Sequence, residues 1–264
     1  MHSIIDSHVH LYPTQINKDP VTWGVKNLEP LWVLLCTRKR KDGSPVQLFP
    51  NPKELLLAMD DAGIEHSILM GWYWETARAC EIQNTFYKKC IKKYSDRFSA
   101  FGAVHLKSKQ LKASIIQLKE DGFIGLGELS PHAQGVNIKN KGFTELLNTA
   151  AELRMPVNFH VSDPDSNRYP GYVETPLEDF VFLIKRFPET TFILAHAGGL
   201  LPAKQPEIRS YKNVYYDTAA LPLLYDSSLW PLYLKSIDSE RILFGSDYPL
   251  RPVSYTHLTL PTKA

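Results

Sequence analysis

The sequence has few cysteines and no long apolar run, and both absences exclude classes of protein. It contains 3 cysteines in 264 residues, and none of them stands in the C-x-x-C spacing of a structural zinc or a redox pair. No stretch approaches the ~18 uninterrupted apolar residues of a membrane-spanning helix, and no signal peptide precedes the first predicted strand. We therefore expect reduced thiols, a cytoplasmic location and no membrane partner.

An excess of charge of one sign is also missing. The chain has 30 Lys and Arg against 28 Asp and Glu, a net charge of +2, so no overall field attracts nucleic acid or an anionic membrane. One basic run stands out, RKRK at positions 38–41, and we interpret it as a solvated loop rather than a phosphate-binding site. A small-molecule substrate is the expected partner, and a homodimer is compatible with this composition.

What the chain does have is a set of metal-binding or proton-transferring side chains at the ends of five apolar runs. Each run is typical of a buried strand. The six residues are His8 and His10 in IIDSHVH, Glu128 in FIGLGELS, His160 in PVNFHVS, His196 in TFILAHAGG and Asp247 in RILFGSDYP. Burying each of them for packing alone would cost several kcal/mol without a partner. Their shared position favours a common ion.

The H-x-H motif gains its weight from its position. Residues i and i+2 of a strand point to the same side, so His8 and His10 are predicted to face the same interior. Taken alone, the motif is also compatible with two loop histidines after a short strand, although that is the less favoured interpretation. The four other residues decide between these interpretations, because their order along the chain suits convergence at the C-terminal rim of a barrel.

Strands and helices are predicted to alternate along the chain, which indicates the α/β class and a (β/α)8 TIM barrel. The length fits, since such a barrel needs about 250 residues. The predicted strands span 4–8, 66–71, 99–105, 123–129, 157–161, 191–196, 214–218 and 242–245. The predicted helices span 53–62, 75–94, 109–119, 143–154 and 177–187. The proline-bearing segment from the first strand to Pro52 is predicted to be irregular and to act as a lid or substrate wall.

The predicted domain organisation is a single barrel over residues 1–252 followed by a tail. Residues 253–264 have no helical apolar period and contain two β-branched clusters and a proline. We expect this tail to be foreign or non-native, and the barrel to lack a complete eighth helix.

Several of these motifs together resemble the amidohydrolase superfamily. They are DSHVH, GELS, FH, AHAGG, YYDTAA and FGSDYP, and the resemblance runs from residue 3 to about 250. More narrowly, the chain resembles the amidohydrolase-related branch, which includes aminocarboxymuconate semialdehyde decarboxylase and many metal-dependent hydrolases. The resemblance implies a distorted barrel with one or two divalent metals.

The resemblance also implies roles for individual residues. The implied metal ligands are His8, His10, His160 and Asp247. His196 matches a histidine that acts as an acid or base in mononuclear members and binds the second metal in binuclear ones. Glu128 stands where other branches bridge two metals, and at a mononuclear site it would support a ligand instead. Asp247 or His196 would take the proton from water. Imidazole and carboxylate without thiolate favour Zn²⁺, with Mn²⁺, Fe²⁺ or Co²⁺ as alternatives.

Three functions follow from these residues. The favoured one is a metal-dependent hydrolase that uses activated water on a small carboxylate-bearing lactone, amide or ester. The alternative enzyme is a metal-dependent non-oxidative decarboxylase of an unsaturated or aromatic carboxylate. The third interpretation is an inactive barrel that serves as a binding protein.

Other residues near the strand ends are weaker candidates for substrate contact. Trp72, Tyr73 and Trp74 could form a wall for an apolar or aromatic substrate. Arg168 and Tyr169 could meet a substrate carboxylate, although a solvated loop charge is the simpler interpretation of Arg168. His105 and His132 are candidates for orienting substrate, and Asp6 and Asp217 for supporting the site.

Overall fold

The computed structural model describes residues 3–166, 168–226 and 228–250. Eight parallel strands form one sheet in sequence order. They are β1 (Ile5–Val9), β2 (His66–Leu69), β3 (Phe98–Gly102), β4 (Gly125–Leu129), β5 (Val157–Phe159), β6 (Phe192–Leu194), β7 (Val214–Asp217) and β8 (Ile242–Leu243). The sheet closes because the backbone nitrogen of Ser7 donates to Phe244 O at 2.8 Å and Val9 bridges Tyr248. The predicted (β/α)8 barrel is confirmed.

The helices lie between the strands, and short ones add to the loops. The α-helices are α1 (Thr14–Asn17), α2 (Pro20–Lys26), α3 (Pro30–Cys36), α4 (Pro52–Ala62), α5 (Ala77–Lys93), α6 (Leu111–Glu120), α7 (Lys141–Glu152), α8 (Leu177–Arg186), α9 (Leu201–Lys204), α10 (Leu221–Leu224) and α11 (Leu229–Ser236). Three 3₁₀ turns span His196–Leu200, Pro206–Ser210 and Ser239–Arg241. In the described part of the chain, no helix combines the length and apolarity needed to cross a membrane.

Local sequence sets the helix ends. Asn51 caps α4, since its Oδ1 accepts from the backbone nitrogens of Lys53 at 2.8 Å and Glu54 at 3.2 Å. The Glu54 carboxylate accepts in return from the Asn51 nitrogen at 2.6 Å, which completes a capping box. At the other end Gly63 takes the left-handed conformation, with φ of 69°, where a side chain would be strained. The predicted end of this helix at residue 62 is therefore confirmed.

The main apolar core lies between the strands and the surrounding helices. Leu126 of β4, Phe159 of β5 and Leu194 of β6 are fully buried, and every residue of these strands is buried. Parallel strands that are covered on both faces are expected to be apolar throughout. Polar groups in these strands are therefore exceptional, and they concentrate where the strands end.

The segment between β1 and α4 is more ordered than predicted. It contains α1, α2 and α3, whereas the sequence interpretation treated its prolines as evidence for irregular chain. Pro20 and Pro30 instead occupy the first helical position, where the missing N–H and the fixed φ favour a helix start. A cluster of aromatic side chains packs α2 and α3 onto the loop after β2, with Trp32 and Trp74 centroids 5.4 Å apart. This packing depends on residues far apart in sequence, so local patterns did not reveal it.

Several strands end earlier than predicted. β3 ends at Gly102, β5 at Phe159, β6 at Leu194 and β8 at Leu243. Four of the six candidate site residues follow the last residue of their strand, although the backbone nitrogens of His160 and Asp247 still donate to Leu129 O at 2.9 Å and His8 O at 3.0 Å. Residues 251–264 lie outside the described residues, and so do the predictions of a foreign tail at 253–264 and of an incomplete eighth helix.

Candidate metal centre

Six side chains that the sequence singled out meet at the C-terminal end of the barrel. His8 lies in β1 and Glu128 in β4, and the others lie within four residues after the ends of β1, β5, β6 and β8. All six are buried, with exposed fractions from 0% to 7%; they are His8, His10, Glu128, His160, His196 and Asp247. Parallel strands that start at one rim end at the other, so residues distant in sequence converge here.

Glu128 lies between two groups of imidazoles. Its Oε1 is 3.0 Å from His160 Nδ1 and 3.3 Å from His196 Nε2. Its Oε2 is 3.9 Å from His10 Nε2, which in turn is 3.1 Å from His8 Nε2. Ligand atoms within 4.8 Å of one another therefore form two sets, each with two histidines, and the sets share this carboxylate.

Asp247 adds a second carboxylate to one of these sets. Its Oδ1 is 3.6 Å from His10 Nε2 and 4.0 Å from His8 Nε2. The backbone nitrogen of Asp247 donates to the His8 carbonyl at 3.0 Å, so the end of β8 is fixed beside the end of β1. The set of His8, His10 and Glu128 thus has a fourth oxygen or nitrogen donor close by.

Hydrogen bonds on the far side of three rings set which nitrogen faces the centre. His10 Nδ1 donates to Met70 O at 2.9 Å, and His196 Nδ1 donates to Ala219 O at 3.0 Å. His8 Nδ1 is 2.9 Å from the Asp217 carboxylate. A carbonyl or carboxylate only accepts, so the hydrogen sits on Nδ1 and the Nε2 lone pair points inward. This is the tautomer that a metal ligand requires, and the donor set fits a divalent cation.

His160 presents its other nitrogen. Its Nδ1 faces Glu128 and lies 3.2 Å from His196 Nε2, while its Nε2 lies 3.3 Å from Ser162 Oγ. The ring is also held by Tyr73, whose centroid is 5.2 Å away. His160 can therefore offer Nδ1 to the same ion as His196.

The charges of the centre are balanced among these groups. Burial lowers the pKa of His8, but the Asp217 carboxylate outweighs it and raises that pKa to about 10. Burial and the neighbouring His8 lower the pKa of His10 to about 4. Burial would raise the pKa of Glu128, yet the adjacent imidazoles hold it well below its usual value. Burial lowers the pKa of His196, but Glu128 raises it to about 9. A divalent cation would replace the positive charge that protons supply here.

A cavity of about 430 Å³ opens onto this centre. Its walls include aromatic side chains, with Trp72 and Tyr73 stacked at 4.4 Å and the Trp72 ring 5.3 Å from His10. Tyr169 lines it from the loop after β5. The volume and the aromatic walls suit a small planar molecule.

Nearly the whole sequence matches one family model. The model described as Amidohydrolase matches residues 5–262. The chain belongs to the amidohydrolase family. It is a metal-dependent enzyme of that superfamily, and a divalent metal fits its cluster of imidazole and carboxylate ligands. No curated protein matches the sequence significantly.

Solved structures of other amidohydrolases share the fold. One is the 5-carboxyvanillate decarboxylase of Novosphingobium aromaticivorans with manganese, at TM-score 0.72 and 14% identity over 99% of this chain and 91% of that one. Another is the 2,6-dihydroxybenzoate decarboxylase from Rhizobium, with a TM-score of 0.68 and 17% identity over 100% of this chain and 94% of that one. A third is a probable 2-pyrone-4,6-dicarboxylic acid hydrolase from Acinetobacter baumannii, with a TM-score of 0.57 and 15% identity over 96% of this chain and 87% of that one.

Only some of the weaker candidates for substrate contact in this amidohydrolase line the cavity. Trp72 and Tyr73 line the cavity as predicted, whereas Trp74 is buried in the cluster with Trp32. His105 and His132 are not among the described residues that line it, and His132 pairs with Asp179 at 2.9 Å instead.

The basic run lies in a loop whose residues 39–41 are exposed, as predicted, but whose first residue, Arg38, is half-buried. Arg38 and Arg40 line the cavity, because the loop that carries them folds over the end of the barrel. Gln47 and Cys36 line it too and were missed. Neither has a sequence signal, since both owe their position to the tertiary placement of the segment between β1 and α4.

The Asp217 carboxylate orients two of the candidate ligands, His8 and His196. Its Oδ1 accepts from the backbone nitrogen of His196 at 3.0 Å, and its Oδ2 accepts from Asn158 Nδ2 at 3.1 Å and faces His8. Burial would raise the pKa of Asp217, but His8 holds it below the usual value. Asp6 plays a similar part for the backbone, since its Oδ1 accepts from the nitrogens of His8 at 3.2 Å and Ser246 at 2.9 Å.

Asp217→Asn is expected to weaken metal binding by about 10- to 100-fold, the usual cost of losing a carboxylate behind a histidine ligand. The amide removes the charge that favours the Nδ1–H tautomer of His8, although its size is unchanged. Competition with a metal-sensitive fluorescent chelator measures this affinity. Asp179→Asn, at the His132 pair outside the cavity, is the matched control. An unchanged affinity in Asp217→Asn would contradict the orienting role.

Proposed function

We propose that this amidohydrolase is a hydrolase that opens a lactone, amide or ester of a small carboxylate. The observation that carries the proposal is the position of Glu128, whose two carboxylate oxygens face two different pairs of histidines. A carboxylate placed in this way suits two cations that share it, and paired cations are a recurrent feature of enzymes that direct water at an acyl or phosphoryl group.

The proposed ligands divide into two sets. His8, His10 and Asp247 would hold one ion together with Glu128, and His160 and His196 would hold the other with the same carboxylate. Nitrogen and oxygen ligands without sulfur suit Zn²⁺ and also Mn²⁺, the metal bound in one similar decarboxylase structure. Bound cations of this kind polarise a carbonyl oxygen and lower the pKa of water.

The protein's own groups supply the rest of the chemistry. Asp247 lines the cavity and its carboxylate faces His10, so it is placed to accept the proton that an attacking water releases. Tyr73 and Trp72 cover one side of the centre and exclude bulk water from it. Exclusion of water strengthens every charge interaction inside the site.

A decarboxylase acting on an unsaturated or aromatic carboxylate is the second candidate. It is favoured by the similar solved structures, which include 5-carboxyvanillate and 2,6-dihydroxybenzoate decarboxylases. The position of Glu128 favours hydrolysis, and the similarity to a probable pyrone-dicarboxylic acid hydrolase agrees with it. The fold alone is compatible with both.

The products formed by the metal-loaded protein separate these functions. Incubation with a panel of aryl esters, lactones and aromatic carboxylates is expected to release acid from the esters or lactones without release of CO₂, because water is the co-substrate. A pH-stat and a CO₂ electrode measure the two products. Chelation should abolish the turnover, and added Zn²⁺ or Mn²⁺ should restore it. CO₂ release as the main activity would establish the decarboxylase instead, and no turnover on the panel would favour the binding protein.

A further inference from the structure

A short hairpin carries two unexplained polar side chains into the cavity. Lys39 bridges Pro45 in antiparallel fashion, and the backbone nitrogen of Val46 donates to Arg38 O at 3.0 Å. The pairing places Arg38 and Gln47 at the same end of the hairpin, and both line the cavity. The hairpin is braced by Arg40, whose guanidinium donates to the carbonyls of Pro45 and Val46.

Arg38 is a cation without a counter-ion. Throughout residues 3–166, 168–226 and 228–250, no carboxylate forms an ion pair with it, and its Nε is buried without a hydrogen-bond partner. The other two arginines that line the cavity have partners. Arg40 donates to backbone carbonyls, and Arg168 forms an ion pair with Glu174 at 3.2 Å. Because the side chain lines the cavity and no described residue pairs with it, its guanidinium is available to an anionic group of a ligand.

Gln47 repeats the pattern beside it. It is 6% exposed, and its Nε2 has no acceptor in hydrogen-bonding geometry although Tyr12 and Cys36 are close. The Arg38 guanidinium lies 5.1 Å from the centroid of Tyr169, which restrains its orientation. A guanidinium without a partner, restrained against an aromatic ring and next to the Gln47 amide at the cavity wall, suits the planar two-oxygen face of a carboxylate.

We infer that Arg38 and Gln47 bind a second anionic group of the substrate, which makes the substrate class a small planar dicarboxylate or a carboxylate with an equivalent acid. One acyl or carboxyl group meets the centre around Glu128 and the other meets Arg38, within a cavity that the stacked Trp72 and Tyr73 also line. This inference rests on the proposed function for the reacting end alone. The Arg38 end is independent of which reaction occurs at the centre.

Binding of unreactive probes to the Mn²⁺-loaded protein tests the inference. Benzoate carries one carboxylate, and 1,3- and 1,4-benzenedicarboxylate carry two at different separations. Calorimetry on the wild type is expected to give at least one dicarboxylate that binds about 10- to 100-fold more tightly than benzoate, as a charge-assisted hydrogen-bond pair implies. Arg38→Met should remove that preference and leave benzoate affinity within about 3-fold. Arg168→Met, at the ion-paired arginine of the same cavity, should keep it.

Each outcome bears on one claim. A wild type that binds neither dicarboxylate better than benzoate overturns the inference, and so does a preference that survives in Arg38→Met. Melting temperature and metal content show whether Arg38→Met is folded and loaded, and Arg38→Lys provides a second variant that should retain part of the preference. Benzoate binding that does not depend on metal would count against the proposed function and leave the Arg38 result standing.

Discussion

His8→Ala, His160→Ala and Asp247→Ala are each expected to abolish turnover and to lower the metal content of the purified protein. Each change deletes a donor from a buried cluster whose remaining groups are held rigidly by strand ends. Metal sites lose both affinity and activity when one such donor is removed, because the coordination cannot be completed elsewhere. Elemental analysis and a turnover assay on the same samples measure both effects.

The control for these variants is a histidine outside the centre. His132→Ala removes an imidazole that pairs with Asp179 and does not line the cavity. It should keep the wild-type metal content and rate. Wild-type metal stoichiometry in all three cluster variants would refute the ligand assignment.

His196→Asn is expected to remove one ion per chain and to lower the rate by about 10²- to 10⁴-fold. The variant loses both a ligand of the second cation and an imidazole that can transfer protons. The structure motivates this outcome, since His196 Nε2 lies among the donors of His160 and Glu128 rather than apart from them. Metal content and steady-state rates are measured on the same preparation. His66→Asn, which affects an imidazole bonded to Ser99 at 2.9 Å, is the control.

A different result for His196→Asn would identify a different site. If the variant keeps all of its metal and still loses 10²- to 10⁴-fold in rate, His196 carries protons beside a single ion. That outcome would contradict the two-ion arrangement. It would remain compatible with hydrolysis, with Asp247 accepting the proton from the attacking water.

The barrel and the meeting of its six polar residues follow from periodic features of the sequence. Buried parallel strands are apolar along their length, so a His or Glu at the end of each run stands out. His160 and His196 could be placed at one rim because parallel strands end together. Their roles as ligands stay predictions, but their convergence with Glu128 is a property of the structure.

What the sequence could not reveal depends on contacts between distant segments. The helices α2 and α3 each begin at a proline. A proline also indicates irregular chain, and only the aromatic side chains that pack these helices, which come from distant segments, decide for a helix start. Arg38 stands in a basic run that resembles any solvated loop, and the hairpin that turns it into the cavity rests on backbone hydrogen bonds. The support from Asp217 likewise appears only in the closed barrel, where β8 lies between β7 and β1 and the end of β7 comes within hydrogen-bonding distance of His8.

The metal content of the wild-type chain beside that of Glu128→Ala tests the central claim most directly. Both proteins are stripped with chelator, reloaded with Zn²⁺ or Mn²⁺, desalted and analysed for metal, with circular dichroism to confirm that the variant is folded. If Glu128 is shared between two cations, the wild type should hold about two ions per chain and the variant fewer than one, as expected when a bridging ligand of a two-metal site is lost. One ion per chain in both proteins would contradict the shared site.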